Sequence, residues 1–206
     1  TRERRLAVAV SVFVTLVVFI GFARSYFLRT LFGFPALPSL LVHIHAVIMT
    51  AWVVLFAVQV GLVASHRTRL HMKLGILGSV LALLVFVVGI HTSLAAAARG
   101  NAIPGWEPLR FLVVPLGDIM AFAALVGAAL YYRRKLDIHK RLMLLSALNM
   151  MPAAVARIPL EFIQSNGALA YYGLPDLCVV AVVGYDTIKH RRLHPAYFWG
   201  ALLLIA

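Results

Sequence analysis

Long runs of apolar residues without charge are the feature of this sequence that most limits its fold. The run 41–64 contains no Asp, Glu, Lys or Arg, and a second such run, 74–93, follows after a short basic turn. A stretch of about 18 or more apolar residues has the length of a helix that crosses a membrane. The chain is also 63% hydrophobic and 13% charged, well outside the range typical of soluble domains. We therefore predict an integral membrane protein.

The apolar runs predict an all-α, polytopic transmembrane helical bundle with six full spans and a partial seventh. The full spans are predicted at 6–26, 40–64, 73–97, 109–132, 140–164 and 171–188, and the partial one begins near Ala196. The linkers are too short for a folded extramembrane domain, so residues 1–206 are predicted to form a single domain. The segments 69–75 and 136–142 share a basic, histidine-containing pattern, which favours one leading helix followed by three related hairpins.

The basic residues are distributed unevenly between the two sets of connections. One set has fourteen Lys and Arg, in 2–5, 67–73, 133–141 and 189–192, and the other has four, Arg24, Arg29, Arg99 and Arg110. Cytoplasmic loops of membrane proteins hold the Lys/Arg excess, which predicts a cytoplasmic N-terminus. The net charge of +12 is explained by these short loops, so we expect the lipid bilayer as partner and no nucleic acid.

Ionisable side chains within the predicted spans fall mainly at one depth. Counting about 1.5 Å per residue from the inner turns places them roughly 20–33 Å outward, in the outer third of the membrane. This outer layer consists of His43, His45, His91, Asp118, Arg157, Glu161 and Asp176. Such groups are costly in a bilayer, and their joint occurrence favours one functional site. In the inner third, the comparable group is Asp186, one turn from a basic loop.

Several members of the outer layer also have a purely structural interpretation. Arg157 and Glu161 are four residues apart and could neutralise each other on one helix face. Asp118 and Asp176 follow Gly or Pro near a predicted helix start and could cap it. His43 and His45 lie about 200° apart around a helix, so one is a ligand candidate and the other an interfacial residue.

The leading functional hypothesis is a b-type haem in the outer leaflet, in a redox or electron-transfer protein. His45 and His91 are predicted at matched depth on neighbouring helices, as two axial imidazoles require, and Arg157 could meet a propionate. His43 is the further candidate for cofactor binding. A second haem between His71 and His139 is disfavoured, because roughly 30 Å separates His71 from His91.

Two alternatives remain open, and with them whether the protein is an enzyme. The first is a zinc-dependent membrane hydrolase whose ligands are drawn from His45, His91, Asp118 and Asp176. The second is a non-enzymatic protein that binds quinone or lipid, or a subunit of a membrane complex. Its polar contacts would come from the same layer, and Asn149 is a further polar candidate beside Glu161, His71 and His139.

Three motifs together resemble those of a known protein family. They are the His-Ile-His segment at 42–52, the Leu-His-Met-Lys-Leu-Gly segment at 65–75, and the His-Lys-Arg-Leu-Met segment at 138–143, which Ala156-Arg-Ile-Pro159 follows. They resemble an uncharacterised family of bacterial multi-pass inner-membrane proteins. The resemblance implies a helical bundle in the bacterial cytoplasmic membrane, and it implies no activity.

Overall fold

The computed structural model describes residues 2–103 and 105–205, and over these residues it is all-helical, without strands. Thr1, Pro104 and Ala206, the last of which ends the predicted partial span, lie outside the described residues. The helices are α1 (Arg2–Phe22), α2 (Leu40–Ala64), α3 (Thr68–Ala98), α4 (Pro108–Phe111), α5 (Val113–Tyr131), α6 (Leu136–Leu148), α7 (Met151–Val155), α8 (Glu161–Asn166), α9 (Ala168–His190) and α10 (Pro195–Ile205). A π-helical turn, Ala23–Phe27, extends α1.

Five helical segments are long and apolar enough to cross a membrane. They are Glu3–Phe27, Leu40–Ala64, Thr68–Ala98, Pro108–Tyr131 and Ala168–His190. These five match five of the six predicted full spans to within a few residues, apart from the start of α3. That helix begins at Thr68 rather than 73, because His66 takes a positive φ of 62° and the chain reverses within three residues. The all-helical fold, with five helical segments long and apolar enough to cross a membrane, is therefore confirmed.

The predicted span at 140–164 is wrong as a single continuous helix. Its residues form α6, α7 and α8, and two prolines explain the breaks. A proline ring clashes with the carbonyl four residues earlier and supplies no N–H. Accordingly α6 ends at Leu148, four residues before Pro152, and α7 ends at Val155, four residues before Pro159.

The chain divides into two compact units. The hairpin unit is Ala36–Ala124, and the terminal unit combines Thr1–Pro35 with Leu125–Ala206. That the two act as one domain stays a prediction. In the hairpin unit α2 packs along α3, and Trp52 meets the ring of Phe122 edge-on at 5.1 Å.

The terminal unit packs α1 against α6 and α7, and α10 against α6 and α9. Its largest fully buried side chains include Tyr197, Leu145, Leu148 and Met151. Two glycines permit close helix contacts, Gly21 against the backbone of Ala154 and Gly200 against Leu145. This close packing brings the N-terminal end of α1, the start of α6 and the C-terminal end of α9 together.

Candidate functional site

The outer histidines of the hairpin unit occupy different environments. His45 is half-buried on α2, whereas His43 and His91 are exposed. The Nδ1 atom of His91 lies 2.8 Å from the carbonyl oxygen of Val87, one turn earlier in α3. A carbonyl can only accept, so Nδ1 carries the proton and Nε2 keeps its lone pair when the ring is neutral. His91 is therefore held in the tautomer that ligates through Nε2.

Gly89 shows which neighbours one face of α3 packs against. A Cβ atom on Gly89 would lie 2.5 Å from the Ile119 side chain and 3.7 Å from the Met49 side chain, so this face of α3 is turned mainly to α5. His91 follows Gly89 by two residues and lies about 200° around the helix from it. His91 therefore lies away from the face that contacts Ile119 and Met49, and its joint ligation of one iron with His45 stays a prediction.

The apolar surroundings of His91 form a continuous exposed stripe. Leu84, Val87 and Leu94 lie three to seven residues from His91, on the same side of α3, and are 42%, 41% and 49% exposed. We call these four residues the His91 stripe. It combines exposed aliphatic side chains with one imidazole whose Nε2 lone pair is available to a ligand.

Arg157 and Glu161 do not form the predicted pair along one helix, because α7 ends before the first and α8 begins at the second. Instead, the Arg157 guanidinium lies 4.6 Å from the centroid of the Phe22 ring and donates from Nη1 to the Ala153 carbonyl oxygen at 2.5 Å. Both residues are exposed. Arg157 is thereby held in the terminal unit by a cation–π contact and a backbone hydrogen bond.

Asp118 and Asp176 are not helix caps. The structure places them, half-buried, five residues into α5 and eight residues into α9. Within residues 2–103 and 105–205, no three His, Cys, Asp or Glu side chains are grouped so that they could hold a metal ion. The zinc site built from His45, His91, Asp118 and Asp176 thus stays a prediction.

The remaining candidates lie elsewhere. His71 is half-buried in the first turn of α3. The Nδ1 atom of His139 donates to the carbonyl oxygen of Ala129 at 2.8 Å, which ties α6 to the end of α5. Asn149 directly follows α6, and its backbone N–H donates to the Leu145 carbonyl at 2.9 Å. The His139 side chain thus joins two helix ends, and a site role for His71 and Asn149 stays a prediction.

A buried ion pair in the terminal unit was not anticipated from the sequence. Arg141 of α6 and Asp186 of α9 are 3% and 5% exposed. The Arg141 Nε atom donates to Asp186 Oδ2 at 3.0 Å, and Nη2 donates to Oδ1 and Oδ2 at 3.0 and 2.9 Å. The guanidinium also lies 5.5 Å from the centroid of the Tyr197 ring. This bidentate pairing compensates two charges that burial alone would make costly.

Glu3 of α1 joins the same cluster through three donors. Lys140 and Lys189 each place Nζ 2.9 Å from a Glu3 carboxylate oxygen, and His190 places Nε2 3.0 Å from Oε1. Lys140 also donates to Asp137 Oδ1 at 2.6 Å, and this hydrogen bond lowers the pKa of the Asp137 carboxyl. We call the group the inner cluster; its members are Glu3, Asp137, Lys140, Arg141, Asp186, Lys189 and His190.

A cavity of about 90 Å³ adjoins the inner cluster. Every residue that lines it is ionisable: Asp137, Arg141, Asp186, His190, Arg192 and His194. The Nδ1 atom of His194 accepts a hydrogen bond from the Ala196 backbone N–H at 3.1 Å, so the imidazole caps the start of α10. Burial, followed by repulsion from Arg141, lowers the pKa of His194 and favours the neutral ring that this cap needs.

Comparisons with protein-family models, with curated proteins and with solved structures found no match for this chain.

Proposed function

We propose that the chain is a bacterial inner-membrane protein with six crossings and a partial seventh that begins near Ala196, with its N-terminus in the cytoplasm. The charge distribution supports this topology, because the ends of helices that would face the cytoplasm carry the fourteen-to-four excess of Lys and Arg. In this topology the fifth crossing is made by the broken series α6, α7 and α8. Non-helical backbone is tolerated at membrane depth where protein surrounds it, and Met151, Pro152, Ala154 and Val155 are buried.

We further propose that the protein binds a b-type haem in the outer leaflet and transfers electrons through it. The observation that carries this proposal is the His91 stripe, with its Nδ1 atom held by Val87 and its Nε2 atom available. A hydrogen bond at the other ring nitrogen fixes the orientation of a ligating histidine and raises its basicity. The exposed aliphatic neighbours of His91 would supply an apolar contact for a porphyrin.

The other histidine that would hold the haem in this proposal is His45 or His43, near the start of α2. His43 is exposed like His91, and His45 is the more buried of the two. Arg157 belongs to the terminal unit, and its contact with a propionate stays a prediction. Bound haem would supply one-electron chemistry, and a quinol or a protein of the same membrane complex would be the exchange partner.

The test is an absorption spectrum of the detergent-purified protein, first air-oxidised and then reduced with dithionite. We expect a Soret band that sharpens and shifts on reduction, together with α and β bands. His91→Ala should abolish cofactor retention. His66→Ala, which changes an exposed histidine in the turn between α2 and α3, is the matched control and should retain it.

Two results would contradict the haem proposal. Equal cofactor content in the two variants would remove His91 from the site, and a colourless wild-type protein would remove the haem. Metal analysis of the same sample separates the alternatives, because near-stoichiometric zinc in a colourless protein would favour the hydrolase. A colourless, metal-free protein would favour the quinone- or lipid-binding alternative.

A further inference from the structure

Both ring nitrogens of His190 face oxygen atoms that can only accept hydrogen bonds. Nδ1 lies 2.9 Å from the backbone carbonyl oxygen of Asp186, and Nε2 lies 3.0 Å from Glu3 Oε1. A neutral imidazole carries one N–H and can satisfy only one of these acceptors, whereas the doubly protonated ring satisfies both. The geometry at His190 therefore matches the imidazolium form.

The charges around His190 come from three helices and one turn. The carboxylates are Glu3 on α1, Asp137 on α6 and Asp186 on α9, and Asp186 Oδ1 lies 3.4 Å from Nδ1 of the ring. The other ionisable groups are Lys140 and Arg141 on α6, Lys189 on α9, and Arg192 and His194 in the turn that follows. Arg141 pairs with Asp186. Glu3 is therefore the carboxylate that contacts His190 and is not itself paired with Arg141.

We propose that His190 is a proton-sensitive latch that fastens the N-terminal end of α1 to the C-terminal end of α9. When the ring is protonated, it donates to Glu3 and joins the two helices. When it loses a proton, Nδ1 keeps its hydrogen because of the Asp186 carbonyl, and the Nε2 lone pair then faces a carboxylate oxygen. The contact is thus present when both ring nitrogens carry a proton and is lost when Nε2 is deprotonated.

Loss of this contact loosens α1 and does not release it. Glu3 keeps its hydrogen bonds to Lys140 and Lys189 when His190 is neutral. The three Glu3 partners are only partly buried, so solvent screens each contact. We therefore expect about a fivefold change in the local opening equilibrium of α1, from one charge-assisted hydrogen bond weakened by partial exposure.

Amide hydrogen exchange of the full chain in detergent tests the latch. The amides of residues 6–10 donate to the carbonyls of residues 2–6 at the start of α1 and report its opening. After correction for intrinsic exchange, their protection in the wild type should be about fivefold lower at about pH 8 than at about pH 5.5. Protection that does not change between these pH values would overturn the proposal.

Matched variants assign the effect to His190. His190→Gln cannot be protonated and should give low protection at both pH values, whereas His190→Lys stays charged and should give high protection at both. His66→Gln should keep the wild-type pH dependence. If His190→Gln or His190→Lys retained that dependence, the latch would be located elsewhere and the proposal would be wrong.

Glu3→Gln provides a second test that does not alter the histidine. It removes the negative charge from a side chain that is 33% exposed, near the start of α1. We expect lower protection of residues 6–10 at both pH values and no remaining pH dependence. An unchanged pH dependence in Glu3→Gln would exclude Glu3 as the partner of the latch.

Discussion

The residue whose loss should harm the fold most is Asp186. Its carboxylate is the bidentate partner of the Arg141 guanidinium, and both side chains are buried. Asp186→Asn leaves the buried guanidinium with only the exposed Asp137 carboxylate, 3.5 Å from Nη1, as a counter-charge. Removal of one partner from a buried pair costs about 3–5 kcal/mol. We expect a large decrease in Tm, measured by intrinsic fluorescence in detergent.

Glu107→Gln is the control for this prediction. It removes the partner of Arg110 at 3.5 Å, but the two side chains are 75% and 80% exposed. Exposed ion pairs contribute little, so Tm should stay within about a degree of the wild type. Similar Tm decreases in the two variants would show that the Arg141–Asp186 pair has no special role in stability.

His194 should make the start of α10 sensitive to acid. Its lowered pKa means that the unfolded chain takes up a proton more readily than the folded chain. The contribution of His194 to the free energy of unfolding is therefore fully present above the ordinary histidine pKa of about 6.5. It decreases as the pH falls below that value. His194→Asn keeps an acceptor for the Ala196 N–H without a titrating group.

Hydrogen exchange of residues 197–200 measures this effect. In the wild type their protection should decrease from about pH 7.5 to about pH 5, and in His194→Asn it should not. This direction is opposite to that expected for α1 from the latch, so the two histidines can be distinguished in one experiment. A decrease of equal size in His194→Asn would assign the acid sensitivity to another group.

At the scale of single elements, close helix packing in the terminal unit depends on Gly21. A Cβ atom there would collide with the Ala154 backbone, which cannot move aside as a flexible side chain could. Gly21→Ala should therefore destabilise the α1–α7 contact by about 1–3 kcal/mol, the usual cost of overpacking. Thermal unfolding in detergent measures the change.

Gly127→Ala is the control in the same unit. A Cβ atom on this α5 residue would meet no atom within 4 Å, and alanine favours helix more than glycine does. Its Tm should equal or exceed that of the wild type. If Gly127→Ala lowered Tm as much as Gly21→Ala, the loss would come from glycine replacement in general and not from the α1–α7 contact.

The long apolar helices could be predicted from the sequence, because the length and hydropathy of each run determine them. Five of the predicted spans correspond to such helices. Pro152 and Pro159 are also visible in the sequence as helix breakers, but hydropathy averaged over a whole span does not detect them. Side-chain direction was harder to obtain. His45 and His91 are predicted at matched depths, but whether they face each other depends on how each helix is rotated about its axis, which the packing of neighbouring helices sets.

The inner cluster was missed for a related reason. Lys140, Arg141, Lys189 and His190 read as members of solvated basic loops, because the charge pattern at a helix end does not show which side chain turns inward. Asp186 was the available signal: a carboxylate in an apolar run requires a partner, and the partner had to come from one of the basic segments.

At the scale of the whole molecule, the proposed topology predicts which loops react with a membrane-impermeant thiol reagent. Single cysteines can be placed in a Cys178→Ser background at Ser65, Asn101 and Ser165, all of which are exposed. With a cytoplasmic N-terminus, Ser65→Cys should be labelled only after the cells are opened. Asn101→Cys should be labelled in intact spheroplasts.

Ser165→Cys decides whether the broken series α6, α7 and α8 crosses the membrane. If it crosses, residue 165 lies outside, and α9 then returns the basic segment 189–192 to the cytoplasm. We therefore expect labelling of Ser165→Cys in intact spheroplasts. Labelling only after lysis would keep 165 inside and force 189–192 to the outer face, against the positive-inside rule. That outcome would leave five crossings, made by the five long apolar helical segments. The positive-inside rule would then not explain the basic residues at the end of α9.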